Sequence, residues 1–239
     1  MNTLPLLGHA SLDDILAWRP SGPVRVREFL ADVDALAAQF PVGRNVLNVC
    51  QDRYRFTVGF AAGLVSGRTS LQPAAQSAET LRQVRAACLD VFCLCDGDFD
   101  SLDLPRLDFP ELVAVDPEKV VKIPDIPADQ VAACLFTSGS TGLPVPHHKS
   151  WGGLFRSGRA EAELLAMFVR SHTVVGTVPP QHSYGLESTV LLALQGNCPF
   201  WSGKPFYPQD IVAALDAVPR PRMLVTTPFH LAALVAAGL

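Results

Sequence analysis

The sequence predicts an α/β fold with a mainly parallel sheet, on three observations. Short β-rich runs alternate with helix-length stretches, the pattern of βαβ units. The 239 residues are enough to bury a substantial core. With 49% apolar and 18% charged residues, the composition is that of a globular chain rather than a disordered one.

In chain order, residues 1–40 read as a helical lead-in. Ser11 is placed to cap a short helix running to Trp18, and Val26 to Phe40 repeats apolar residues at helical spacing. Residues 41–125 read as a first α/β subdomain. Val46 to Cys50 is a strand, Asp52 to Val65 a small-residue helix ending at Gly67, and Ser70 to Gln72 a brief extended piece. A helix from Ala78 puts Leu81, Val84 and Cys88 on one face, and Val91 to Cys95 is a strand stopped by Asp96-Gly97-Asp98. Residues 97–130 read as a connector with short strands around Leu112 to Val115.

Residues 126–239 read as a second α/β subdomain. Val131 to Thr137 is a strand, Ser138 to His148 a loop, and Trp151 to Val169 a helix with Leu164, Leu165 and Phe168 facing inward. A strand at Thr173 to Val178, a helix at Leu186 to Gln195 and a strand near Cys198 to Trp201 follow. A helix at Gln209 to Ala217, a strand at Met223 to Thr226 and a last helix complete the order.

Several function classes are disfavoured. The formal charge is −4 and basic residues are scattered, so no face is expected to neutralise a nucleic-acid backbone. The first residues lack the charged and apolar regions of a secretory signal, and no apolar run has the length to span a bilayer. A cytoplasmic protein is the expectation. The six cysteines lie mostly in apolar runs without CxxC spacing, which favours buried free thiols over a metal or redox site.

The informative segment is Leu135-Phe136-Thr137-Ser138-Gly139-Ser140-Thr141-Gly142-Leu143-Pro144. An apolar strand runs into six small or hydroxylated residues. Gly139 and Gly142 leave no Cβ between the backbone and a bound group. Amides in such a turn can converge on an anion, with hydroxyl donors from Thr137, Ser138, Ser140 and Thr141. Composition alone leaves an ordinary βα loop equally open. Neither a Walker A pattern nor a G-x-S-x-G elbow occurs, so the serines read as phosphate ligands rather than nucleophiles. A second segment, Val178-Pro179-Pro180-Gln181-His182-Ser183-Tyr184-Gly185, follows a strand and precedes a helix. Alone, His182 reads as a structural loop histidine; its position after the first segment favours a functional one.

The order T-S-G-S-T-G-x-P resembles the phosphate loop of the adenylate-forming superfamily: acyl-CoA synthetases, aryl-acid ligases and adenylation domains. The second segment is similar to that family's Pro-x-x-His-x-x-Gly. The resemblance covers roughly residues 40–239 and implies stacked, mainly parallel sheets flanked by helices, an incomplete large N-terminal domain. It implies that ATP and Mg²⁺ are used to activate a carboxylic acid as an acyl-adenylate. The acyl group is then handed to CoA or to the phosphopantetheine of an acyl-carrier protein. Residues Thr137, Ser138, Gly139, Ser140, Thr141 and Gly142 are then phosphate ligands, and His182, Tyr184 and Gly185 wall the acyl pocket.

This sequence departs from the family after the proline. Val145-Pro146 replaces the usual Lys-Gly, and His147, His148 and Lys149 follow, so Lys149 becomes the candidate for the displaced charge beside His182 as a catalytic group. The Pro-His-His-Lys run leans weakly toward aryl-acid and carrier-protein ligases. The family's adenine and ribose motifs, Thr-Glu metal segment and lysine-bearing C-terminal domain are not visible, and Asp116, Glu187 and Asp210 lack the context to replace them. A fragment, a truncated form or a split subunit is the expectation. Two rivals stay open: a non-catalytic nucleotide- or partner-binding module complementing a C-terminal chain, and an unrelated doubly wound domain holding a simple phosphate ester.

Overall fold

Two large sheets and a two-stranded ribbon organise the chain. The computed structural model describes residues 2–73, 76–99, 104–111, 116–138 and 144–239. The first large sheet holds β4 (Asn45–Asn48), β5 (Thr69–Gln72), β6 (Val91–Cys95), β7 (Arg106–Asp108), β9 (Val131–Ser138) and β10 (Pro144–Ser150). Its order is β10-β9-β5-β4-β6-β7, parallel throughout except for the antiparallel β9–β10 pair. The second holds β2 (Ile15–Arg19), β3 (Gly22–Arg25), β11 (Thr173–Gly176), β12 (Phe200–Trp201) and β13 (Arg222–Val225). Its order is β13-β11-β12-β2-β3, antiparallel only between β2 and β3. The ribbon pairs β1 (Thr3–Pro5) with β8 (Asp125–Pro127).

The strands alternate sides as the pleat requires. Val46, Phe92 and Leu94 enter the main core, which also receives Leu16, Val174 and Phe200 from the second sheet. Their neighbours Leu47, Cys93 and Cys95 face the other way, against Leu81 and Val84 of α3 (Ala78–Ala87). Cys93 and Cys95 thus share a face, as their spacing predicts. Val175, one step from Val174, packs outward on Ala214 and Val218, at and just beyond α7 (Pro208–Asp216). All six cysteines are free thiols, five of them buried.

α1 (Val26–Ala37) and α2 (Arg53–Val65) pack on the inner side of the first sheet. Asp52 caps α2 by accepting the Arg55 amide at 2.9 Å, and Gly67 ends the segment at φ +71°, a conformation that suits a residue without Cβ. α4 (Trp151–Leu164) begins at the Ser150 cap. A short turn, α5 (Ser183–Gly185), leads through a π-helical stretch (Leu186–Leu191) into a final α-helical turn, α6 (Leu192–Gly196).

Three expectations are corrected. Residues 11–18 do not form a helix: Ile15–Arg19 is a strand, because Pro20-Ser21 turns it back onto Gly22–Arg25. Of the expected loop 138–148, Ser138 and Pro144–His148 are strand, and residues 139–143 lie outside the described residues. Pro144–Ser150 pairs with β9, and Pro146, which lacks an amide hydrogen, is tolerated because β10 is the sheet's edge. Leu164, Leu165 and Phe168 do not face the core; Leu164 is 87% exposed. The helix ends there, and its buried face runs through Trp151, Leu154, Gly158 and Ala162. The strands expected around Leu112 to Val115 lie outside the described residues, while the flanking connector carries β7 and β8.

Candidate functional site

The C-terminal ends of the parallel strands in both sheets converge on one cleft of about 280 Å³. It is lined by Gln51 after β4, Pro73 and Gln76 after β5, Pro179, Gln181 and His182 after β11, and Lys204 after β12. Parallel α/β sheets bind ligands at this end because the strand-to-helix turns open there. β9 runs parallel to β5 and ends at Ser138, so the Gly/Ser/Thr run leaves the sheet at the same end.

A buried arginine ties the two sheets together behind this cleft. Arg53, at the start of α2, is fully buried. It donates to the carbonyls of Gly176 (3.0 Å) and Val178 (2.9 Å) at the end of β11 and to Thr189 Oγ1 (2.6 Å). Its backbone amide donates to the Ser202 carbonyl at 2.8 Å. Burial pulls its guanidinium down to about 10, so it stays charged at neutral pH. Gln181 adds a second tie by donating to the Cys50 carbonyl at 2.5 Å. Together these bonds set where Pro179–His182 stands relative to the β4–α2 turn.

Asp96, just after β6, organises the other wall. Its carboxylate accepts the amides of Gln51 (2.7 Å) and Asp52 (2.9 Å). Lys204 reaches across from the second sheet to donate to Gln51 Oε1 at 2.9 Å. Burial and then the nearby Arg53 charge lower its pKa.

The residues singled out from sequence fall as follows. Thr137 and Ser138 are the last two positions of β9, paired with Val145 and Pro144, so the turn itself begins after Ser138. Gly139, Ser140, Thr141 and Gly142 lie outside the described residues. Lys149 is exposed on β10 opposite Ala133. It stands five residues from Pro144, roughly 17 Å along a strand, farther than a lysine stem spans. The hairpin pairing that places it there was not foreseen. His182 lines the cleft and precedes the Ser183–Gly185 turn, its amide donating to the Pro179 carbonyl at 3.2 Å. Tyr184 is half exposed and its hydroxyl donates to the Thr226 carbonyl at 3.3 Å. Gly185 is buried, and the close approach it permits is to the Pro179–Pro180 backbone. Sequence reasoning missed Gln51, Arg53, Gln181 and Lys204, which come from three segments that only the assembled sheets bring together.

Solved structures with the same architecture include o-succinylbenzoate-CoA synthetase of Bacillus subtilis in complex with AMP. It superposes with a TM-score of 0.76 at 16% identity over 100% of this chain and 65% of its own. The fold is that of the N-terminal part of adenylate-forming enzymes. Malonyl-CoA ligase bound to methylmalonyl-CoA and AMP shares this adenylate-forming fold, with a TM-score of 0.67 at 18% identity over 89% of this chain and 45% of its own. A curated 4-coumarate–CoA ligase of Halorhodospira halophila is 47% identical over 57 residues, 23% of this chain and 14% of that protein. No family model matches. The chain thus spans less than two thirds of each of these proteins, and the structural likenesses, at such identity, concern the fold.

Proposed function

We propose that the parent protein activates a carboxylic acid with ATP as an acyl-adenylate and transfers the acyl group to a thiol. One observation carries the reading: the T-S-G-S-T-G run leaves β9 at the end of the sheet where His182 and Lys204 line a cleft. A phosphate-binding turn and an acyl-side histidine at one end of two parallel sheets suit a reaction that joins a carboxylate to a phosphate. The nucleotide and acyl-CoA complexes of the matched enzymes support the same chemistry.

In the first step a carboxylate oxygen attacks the α-phosphorus, and the bond to the pyrophosphate oxygen breaks. In the second a thiolate attacks the acyl carbon and AMP leaves. The chain's part is positioning and charge. The turn's amides and hydroxyls would hold the departing pyrophosphate, and His182 with Tyr184 would border the acyl path. Mg²⁺ bound with ATP neutralises phosphate charge. Among the described residues no group of three or more His, Cys, Asp or Glu is placed to hold a metal ion. The acceptor thiol would belong to CoA or a carrier protein, and the 4-coumarate–CoA ligase match leans the acid toward an aromatic one.

The test is carboxylate-dependent ATP–pyrophosphate exchange by the full-length protein over a panel of aromatic and fatty acids. Activity with at least one acid is expected, with strong loss on Thr141→Val or on deletion of Gly139. Exchange that ignores both changes would remove the turn from the reaction.

A second reading has an observation in its favour. Helix α8 (Pro228–Ala236) exposes Phe229, Leu231 and Val235, with Phe229 and Val235 each 71% exposed. Such an apolar face suits a module that docks further polypeptide rather than one working alone. Gel filtration with a separately expressed C-terminal part, followed by pyrophosphate release, separates the two readings.

A further inference from the structure

The cleft wall carries a positive charge with no carboxylate beside it among the described lining residues. Its lining among the described residues contains no carboxylate: Gln51, Pro73, Gln76, Pro179, Gln181, His182 and Lys204. Directly behind lies Arg53, whose side-chain acceptors among the described residues are all neutral: two backbone carbonyls and one hydroxyl. Asp52, which also caps α2, acts on Arg53 electrostatically but does not line the cleft. Asp96 faces the Gln51 and Asp52 amides and Arg55 instead. Two further polar atoms on this side, Arg53 Nε and Ser202 Oγ, are buried without partners. A buried wall carrying one cation held by neutral acceptors, with a second cation mounted in front of it, raises the local potential for anions.

We propose that Lys204, steadied by Gln51, is the anion-binding group of this cleft, holding a carboxylate or phosphate oxygen of the substrate. The Gln51 contact fixes the direction of a flexible stem, so less rotamer freedom remains to be lost on binding. Arg53 cannot itself reach a ligand, since it is fully buried, but its charge acts through the same wall. Lys204 thereby takes the role expected of Lys149, from a different sheet. The identity of the anion rests on the ligase reading; the existence of the site does not.

Calorimetric titration of the chain with inorganic pyrophosphate and, separately, with benzoate at matched ionic strength tests this. At least one anion is expected to bind, with affinity reduced about tenfold or more in Lys204→Met, the usual scale for a charge-assisted contact. Lys204→Arg is expected to retain most of the affinity. Preference for pyrophosphate assigns Lys204 to the nucleotide, and preference for benzoate assigns it to the acid. Equal binding by wild type and Lys204→Met, or no binding of either anion by wild type, overturns the proposal. Lys204-dependent binding without acid-dependent exchange by the full-length protein would leave the anion site standing and remove the ligase reading.

Discussion

Gly185→Ala isolates the packing that aims His182. Gly185 has φ −66° and ψ −41°, ordinary right-handed helical values, so its backbone does not require glycine. By propensity alone alanine should stabilise this helical start by about 1 kcal/mol. Space argues the other way. An added Cβ would lie 2.7 Å from the Pro179 carbonyl carbon, closer still to its oxygen, and 3.2 Å from Pro180 Cα. Carbon atoms pack comfortably at about 3.5–4.0 Å, so the backbones must separate by about 1 Å. Two consecutive prolines yield poorly, which puts the overpacking cost near the upper end of its range, about 3 kcal/mol. The net is a destabilisation of about 2 kcal/mol, or roughly 4–8 °C in Tm for a chain of this size. Because the Pro179 carbonyl also accepts the His182 amide, pyrophosphate exchange should fall as well. Urea unfolding reads the first effect, as a lower midpoint at unchanged slope. A midpoint that stays put or rises would refute the packing argument.

Arg53→Met should lower stability and raise the pKa of Lys204, because it removes a like charge that now depresses it; NMR titration of the lysine Cε signal decides, and an unmoved Lys204 would refute the coupling. His9 is buried with neither ring nitrogen partnered, and burial lowers its pKa from 6.5 to about 4 against a smaller opposing effect of Asp14. The unfolded chain therefore binds this proton more readily. The stability His9 contributes is complete above about pH 6.5 and is lost as pH falls toward about 4, a swing of about 3 kcal/mol. His9→Leu should flatten that part of the stability–pH curve. Burial pushes the Cys93 and Cys198 thiols up to about 12 and Cys134 up to about 11. A thiol reagent at pH 8 should therefore label them only as the protein unfolds, and rapid labelling of the native chain would contradict their burial.

The alternation of strands and helices was readable because each unit carries its own local period. Val46, Val91 and Thr173 all start or sit within strands as their runs suggest, and Asp52 caps the helix it precedes. The failures share a cause, which is pairing across a turn. Leu12, Ile15 and Leu16 fit a helix by spacing, and only the turn at Pro20-Ser21-Gly22 betrays the strand pair. His147 and His148 fell in the expected loop with two prolines just before them, yet an edge strand accommodates prolines. Toward the end of α4 the short residues Gly158 and Ala162 are buried, pressed against the Leu186–Gly196 helical segment, so the large apolar side chains that follow them misdirected the assignment. His182 was legible through its Pro-rich setting. Lys204 and Arg53 were not, since their meaning depends on contacts over more than a hundred residues of chain.

The guanidinium of Arg53 also decides where this molecule can give. By riveting the end of β11 to the first turn of α2, it makes the two layers swing as one body on that side. A substrate entering this cleft therefore meets Pro179–His182 as a wall braced from behind.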